Sequence, residues 1–281
     1  MTFSIVACDL EAQPEPEWGI AVASKFLAVG STVGYARAGV GAVATQALAN
    51  VAYGPRGLEL LESGGDATET ITGLTGPDEG RADRQVGVVD AAGTAATFTG
   101  EDCYEWAGGL TGDGFCCQGN ILAGEAVITS MRDAFRKATG ELAARLLAAL
   151  DAGDEAGGDR RGRQSAALLV VRAQGGYGGG NDLAVDLRVD DHPDPVPELQ
   201  RIFGLHRLLM PRPEDLEFVD LDERLIGELR VLLGIPGDRS VDDSLKAALL
   251  EFVGTENLEE RWTEDSRIER GILDHLRRLR G

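Results

Sequence analysis

Polar and apolar positions alternate from the first residues of the chain, with Phe3 and Ile5 set against Ser4 and Val6. That spacing predicts a strand over Thr2–Ala7. A proline-containing polar connection over Glu11–Glu17 and a second strand over Trp18–Ala23 complete a hairpin. Small residues over Gly39–Thr45 predict a third strand. The period then changes: Asn50–Gly64 places Leu58, Leu60 and Leu61 on a helix that Gly64–Gly65 ends, and Thr68–Leu74 follows Asp66 as a short helix. Arg84–Asp90 and Thr94–Thr99 read as a hairpin turning at Ala91-Ala92-Gly93, and Phe115–Ile121 as a strand. The apolar stripe Ala126, Ile128, Met131, Phe135, Leu142, Leu146 and Leu150 predicts a helical stretch over Gly124–Leu150, interrupted near Gly140. Asp151–Arg163 reads as a charged, Gly-rich loop. Ser165–Arg172 is almost continuously apolar, the pattern of a strand buried on both faces, and Leu183–Val189 alternates as the last strand.

Strands and helices thus come in grouped runs, which predicts an α+β fold: two sheets face to face between helical layers, a four-layer αββα sandwich. Past His192 the run PDPVPEL reads as a stiff spacer. Helices are expected over Leu199–Leu209, Asp222–Leu233, Ser240–Phe252 and Ser266–Leu279. The expected organisation is a main domain over 1–203 and a small all-helical module over 204–281, the latter too small for a large core of its own.

Composition narrows the functional classes. Apolar residues make up 43% of the chain and its net charge is −20, of which residues 205–281 carry −6. Such a surface repels nucleic acid and anionic membranes, so neither is an expected partner. No window holds the roughly 18 apolar residues of a membrane span, and MTFSIVACDL lacks the features of a signal peptide, so a cytoplasmic location is expected. Lys25, Lys137 and Lys246 are the only lysines; salt adaptation and a GC-rich genome account for this equally well. The cysteines, Cys8, Cys103, Cys116 and Cys117, form no CxxC and read as buried thiols. Asp190-Asp191-His192 offers a single histidine, too few for a metal centre, and no metal or cofactor is expected. Gly175–Gly180 lacks the Lys-Ser/Thr ending of a phosphate loop.

Five clusters carry candidate chemistry. Removal of Met1 would give Thr2 a free α-amine, a base beside its own hydroxyl. Ser24-Lys25 ends the second strand, within hairpin reach of Thr2, where a positive charge lowers a nucleophile's pKa; an ordinary surface lysine is the plain alternative. Thr45-Gln46 with Asn50, and Gln118-Gly119-Asn120, place amides at strand ends, to satisfy one another or to bind a ligand. Asp159 to Ser165, with Arg163, reads either as a carboxylate clamp or as a solvated loop. The histidines, His192, His206 and His275, lie outside the expected core, and G-x-S-x-G is absent, which disfavours histidine-based hydrolysis.

TFSIVA, VASKFLAVG, GVGAVATQALAN, YGPRGLELL, RQVGVVD, QGNILAG, GGDRRGRQSAALLVV and VDLRVDDHP together resemble domain-of-unknown-function family 1028, grouped with the N-terminal-nucleophile (Ntn) hydrolases, over roughly residues 1–203. The C-terminal segment resembles a peptidoglycan-binding-like helical module. The resemblance implies an Ntn-hydrolase-like αββα sandwich that cleaves an amide through an acyl-enzyme. It implies Thr2 as nucleophile, Ser24 and Lys25 as the polar pair beside it, and Asn120 as an oxyanion donor. Thr45, Gln46, Asn50, Gln118, Asp159, Arg163 and Ser165 are then expected to line the substrate. The separate catalytic lysine of proteasome subunits has no clear counterpart. The expected partner is a small-molecule amide, with self-association into a homo-oligomer such as a dimer. A non-catalytic protein binding a metabolite or cell-wall fragment, and a helical assembly module, remain alternatives.

Overall fold

The computed structural model describes residues 2–281, and the chain divides into two compact units, the first ending at Arg201 and the second running Ile202–Gly281. The first unit is a mixed α+β body with two antiparallel sheets. The larger sheet has strand order β10-β9-β2-β1-β8-β7, formed by β1 (Thr2–Asp9), β2 (Glu17–Ser24), β7 (Gly108–Gly112), β8 (Phe115–Asn120), β9 (Ser165–Arg172) and β10 (Leu183–Val189). The smaller has order β3-β4-β5-β6, from β3 (Gly34–Arg37), β4 (Gly41–Ala47), β5 (Arg84–Asp90) and β6 (Ala95–Thr99).

Helices α3 (Ala126–Lys137) and α4 (Leu142–Glu155) pack on the larger sheet, and α1 (Tyr53–Glu62) and α2 (Ala67–Thr75) on the smaller. Period explains each choice of face. Leu142, Leu146 and Leu150 recur every fourth residue on α4 and are fully buried. Val127, Ile128, Met131 and Phe135 do the same on α3. Gly140, at φ +92°, allows the chain to turn between the two helices. Asp66 and Glu69 form a reciprocal capping box that starts α2.

The sheets meet through β1 against β4 and β5, and β8 against β5. Both faces of β1 are buried. Val6 and Cys8 join Ala42, Ala44 and Val89 in the core between the sheets, while Phe3 packs near Gly153 of α4. Small residues on β4 let the two backbones approach closely.

Several expectations need correction. Strands β3 and β7 were not expected, because short, glycine-containing, half-exposed edge segments carry little apolar alternation. Helix α4 continues to Glu155, into the segment read as a loop, where the Asp154 carboxylate accepts from Arg163. The prolines after His192 form no spacer: α5 (Pro195–Leu209) begins among them, in a first turn where a missing N–H costs nothing.

The second unit is not all-helical. Alongside α6 (Glu223–Leu233), α7 (Asp243–Thr255) and α8 (Arg270–Arg280), strands β11 (Phe218–Asp220) and β12 (Arg267–Glu269) pair as an antiparallel ribbon. It also closes its own core, with Leu229, Leu245, Val253, Leu258 and Leu276 completely buried. Asp222 caps α6 and Asp242 caps α7, and Gly234 ends α6 in the left-handed conformation. Among the described residues no helix is long and apolar enough to cross a membrane.

Two measurements test this packing. Leu146→Ala should destabilise the protein by about 2–5 kcal/mol, the usual cost of a cavity beneath a sheet, read as a shift of the denaturation midpoint. The second concerns Asp78, which accepts from the Tyr53 hydroxyl at 2.7 Å, the Gly80 N–H at 2.8 Å and Arg84 Nε at 3.1 Å. The Tyr53 hydrogen bond, followed by that from Gly80, holds its carboxyl below the ordinary carboxylate range. Its contribution is therefore complete above about pH 4 and is lost on acidification below that. Asp78→Asn should flatten the acid limb of a stability-against-pH curve.

Candidate functional site

At the end of the larger sheet where β1 begins, four polar side chains stand in one row. Asn120 of β8 is registered opposite Thr2, Thr2 Oγ1 lies 3.1 Å from Ser24 Oγ of β2, and Ser24 is registered opposite Ser165 of β9. Thr2 is 5% exposed, so its hydroxyl sits in a largely dry setting. One step into the sheet on the same face lie Ser4 and Gln118, again registered opposite each other.

The smaller sheet answers with its own polar row, because Gln46 of β4 pairs with Gln85 of β5, and Gln85 with Thr99 of β6. Across the gap the two rows bond. Gln46 Nε2 donates to Gln85 Oε1 at 2.8 Å and to the carbonyls of Thr2 and Gln118 at 3.3 Å each. Ser4 donates to Gln46 Oε1 at 2.7 Å and accepts from Gln118 Nε2 at 2.7 Å. Gln85 Oε1 also accepts from Asn120 Nδ2 at 2.9 Å, and Gln85 Nε2 reaches the Gly119 carbonyl at 2.7 Å and Thr99 Oγ1 at 2.9 Å. Gly87 leaves room for this network: a Cβ there would come within 2.2 Å of Gln118 Oε1 and displace the Gln118 amide.

Thr2, Ser24, Gln46, Gln118 and Asn120, all expected from the sequence, are thus brought together. Thr45 and Asn50 are not. Thr45 points to the opposite face of β4 from Gln46, donating to the Asn50 carbonyl at 3.1 Å, and the Asn50 amide reaches Asp78. Lys25 flanks the row, but its ammonium donates to the Arg163 carbonyl at 3.1 Å while its backbone N–H binds Asp159 at 2.7 Å. Asp159 also holds Arg161, and Arg163 is engaged by Asp154 and Asp194. Ser165 braces the turn after β2, donating to the Phe26 carbonyl and accepting from the Val29 N–H. These residues build the rim of the site. Met1 lies outside the described residues.

Ser4 and Gln85 were missed. The signal for both was available: each is a polar residue inside an otherwise buried strand, the criterion that singled out Gln118.

Thiol chemistry is disfavoured here. All four cysteines are free and buried. Burial pushes Cys116 up to about 12 and, aided by Asp9, Cys8 up to about 11; Cys103 and Cys117 are raised by burial as well. They are neutral at pH 7, so none of them supplies a thiolate at this sheet end. Among the described residues no group of three or more His, Cys, Asp or Glu is placed to hold a metal ion.

Gln85→Leu should destabilise the protein by roughly 2 kcal/mol or more, since it removes the acceptor of the Asn120 amide, one acceptor of Gln46 and the side-chain donor to the Gly119 carbonyl. Chemical denaturation checks this, and a neutral outcome would mean that water replaces the lost bonds.

Comparison with known proteins places this geometry in a family. The model described as "Family of unknown function (DUF1028)" matches residues 2–199, and that described as "Putative peptidoglycan binding domain" matches residues 214–276. The crystal structure of protein SPO2555 from Silicibacter pomeroyi, assigned to DUF1028, is similar at 33% identity and TM-score 0.66, over 73% of this chain and 86% of that one. Anbu, an ancestral β-subunit from Yersinia bercovieri, aligns at 12% identity over 75% of this chain and 98% of that one, with a TM-score of 0.32 too low to carry an argument. No curated protein matches the chain. With some seven-tenths of its length matched by one family model, and a family member of known structure sharing the fold, the chain belongs to the DUF1028 family and carries a peptidoglycan-binding-like domain at its C-terminal end.

Proposed function

We propose that this protein is an N-terminal-nucleophile hydrolase that cleaves the C–N amide bond of a small molecule. The observation that carries the reading is the position of Thr2: first residue of the central strand, 5% exposed, its hydroxyl 3.1 Å from Ser24 and its carbonyl bonded to Gln46. Two facing sheets with helices packed on each agree with a four-layer αββα arrangement of the Ntn kind, in which a strand-leading residue serves as the nucleophile.

Removal of Met1 would free the Thr2 α-amine, whose ordinary pKa near 8 suits a base at neutral pH. The amine takes the hydroxyl proton as Thr2 Oγ1 attacks the amide carbonyl. It passes that proton to the leaving nitrogen as the C–N bond breaks, leaving an ester on Thr2. Water, deprotonated by the same amine, then releases the acid and restores the hydroxyl. Ser24 orients Thr2 Oγ1. Asn120 Nδ2 spends one N–H on Gln85 and has a second for the developing oxyanion. Lys25 contributes positive charge beside the nucleophile rather than a proton transfer.

A second reading, a non-catalytic binding protein on the same scaffold, is favoured by one observation: the amides of Gln46, Gln85 and Asn120 already bond one another.

Screening the purified protein against a library of small amides separates the two. Hydrolysis by the wild type that vanishes in Thr2→Ala, with the melting temperature kept within a few degrees, supports the hydrolase. Equal turnover in that variant would remove Thr2 from the mechanism. Ser24→Ala should lower kcat by roughly tenfold or more with KM little changed, as befits a group that orients the nucleophile.

A further inference from the structure

Exposed apolar side chains are not spread evenly over the first unit. Five large ones, Phe26, Leu27, Leu48, Val51 and Tyr104, follow the strand ends where Thr2 lies. Leu10, Tyr177 and Leu183 belong to the opposite end. Each of the five is more than half exposed. Their places in the register surround Thr2. Phe26 and Leu27 leave β2 just after Ser24, whose hydroxyl meets that of Thr2. Tyr104 stands on the other side: its carbonyl accepts from the Ile121 N–H at 2.9 Å, one residue past Asn120, the partner of Thr2 on β8. Leu48 and Val51 come from the smaller sheet, after Gln46, whose amide holds the Thr2 carbonyl. Neighbouring strands lie about 5 Å apart, so the β2 and β8 flanks stand about 10 Å apart with Thr2 between them, the span of a small molecule.

The main chain beneath these side chains is anchored. The Phe26 carbonyl accepts from Ser165 and the Leu48 carbonyl from Arg84, while the Leu48 N–H donates to the Asp83 carbonyl at 3.2 Å. Ala28 at φ +53°, Ala47 at +70° and Ile121 at +50° turn the chain next to Leu27, Leu48 and Asn120. Left-handed backbone is costly for residues with a Cβ, above all a β-branched one, and persists where surrounding structure fixes it. The charged groups of the rim face one another: the Lys25 ammonium binds the Arg163 carbonyl, Asp159 holds Arg161, and Arg163 meets Asp154 and Asp194. Apolar side chains held in water around a buried polar row match the composition of a ligand site, with apolar walls and few polar groups.

From this arrangement we infer that the site takes amides that are uncharged and apolar on both sides of the C–N bond. Phe26 and Leu27 cover one side, Tyr104 the other, and Leu48 closes from the smaller sheet. The inference names the substrate class of the proposed hydrolase and rests on that reading for the place of Thr2.

Titration calorimetry on full-length Thr2→Ala, which keeps turnover out of the signal, tests it with N-benzylacetamide, N-benzylbutanamide and N-benzylhexanamide. Affinity should rise about threefold for each added methylene. A hexanoyl probe ending in a carboxylate should bind at least about tenfold more weakly than N-benzylhexanamide. Phe26→Ser and Tyr104→Ser, added to Thr2→Ala, should each lose about fivefold; both main-chain anchors use carbonyls and survive the change. Leu10→Ser, at the opposite end, should leave affinity unchanged. No binding, affinity independent of chain length, or full affinity in both rim variants would overturn the inference. So would a dimer that Phe26→Ser or Tyr104→Ser dissociates in sedimentation while no amide binds, which would assign the apolar rim to a second copy of the chain. Turnover of the same probes by the wild type is read separately. Chain-length-dependent binding without turnover sinks the hydrolase reading and upholds the apolar site; turnover indifferent to chain length does the reverse.

Discussion

Two sheets that face each other across an apolar interface must do something with polar residues at one end of it, and here those residues bond one another, with Gln118 Oε1 left as the acceptor without a hydrogen bond. Gln46 and Gln85 on the smaller sheet and Ser4, Gln118 and Asn120 on the larger are buried, and hydrogen bonds cross between them. An amide left without a partner in such a place costs one to several kcal/mol, so the register of β1 against β4 and β8 is held by bonding as well as by packing. The arrangement places Thr2 at the outer rim of the network, with its carbonyl and hydroxyl both engaged. The proposed chemistry depends on that rigidity, because a nucleophile that has to be oriented in the transition state gains nothing from a loose strand end.

Most of this architecture was legible where burial imposes a period. Arg84–Asp90, Ser165–Arg172 and Leu183–Val189 are strands with the expected limits, since alternating or continuous apolar runs leave few other choices. The edge strands around Gly34 and Gly108 escaped notice because glycine removes the side chains that would reveal the alternation. The ribbon of the second unit escaped because a three-residue strand has no period to read. At the site, amides inside apolar strands pointed to Gln46, Gln118 and Asn120. Reading the same signal one strand further would have found Gln85. Thr45 was grouped with Gln46 by adjacency, although neighbours on a strand face opposite ways. Arg163 and Asp159 looked available for a ligand because two of the partners that occupy them, Asp194 and Lys25, come from distant segments, while the nearer ones, Asp154 and Arg161, carry no pairing signal in a charged stretch read as a loop.

Burial also selects among the available nucleophiles. The four thiols are held neutral by the apolar core, while the first unit's histidine, His192, accepts through Nδ1 from the Asp194 N–H in the connection leading into α5. What remains at the polar sheet end is hydroxyls and amides, a set that suits a self-contained nucleophile and base on one residue. The acid-rich surface is compensated locally, by arginine–carboxylate pairs in both units.

The central claim is that Thr2 becomes the amino terminus of the working protein and reacts there. Treating the native protein with a carbonyl electrophile and mapping its tryptic peptides by mass spectrometry tests this directly. The account predicts a terminal peptide that begins at Thr2, ends at Lys25 and carries one equivalent of the acyl group on the Thr2 hydroxyl. A terminal peptide that retains Met1, or begins at Thr2 and stays unmodified while other sites react, would contradict it.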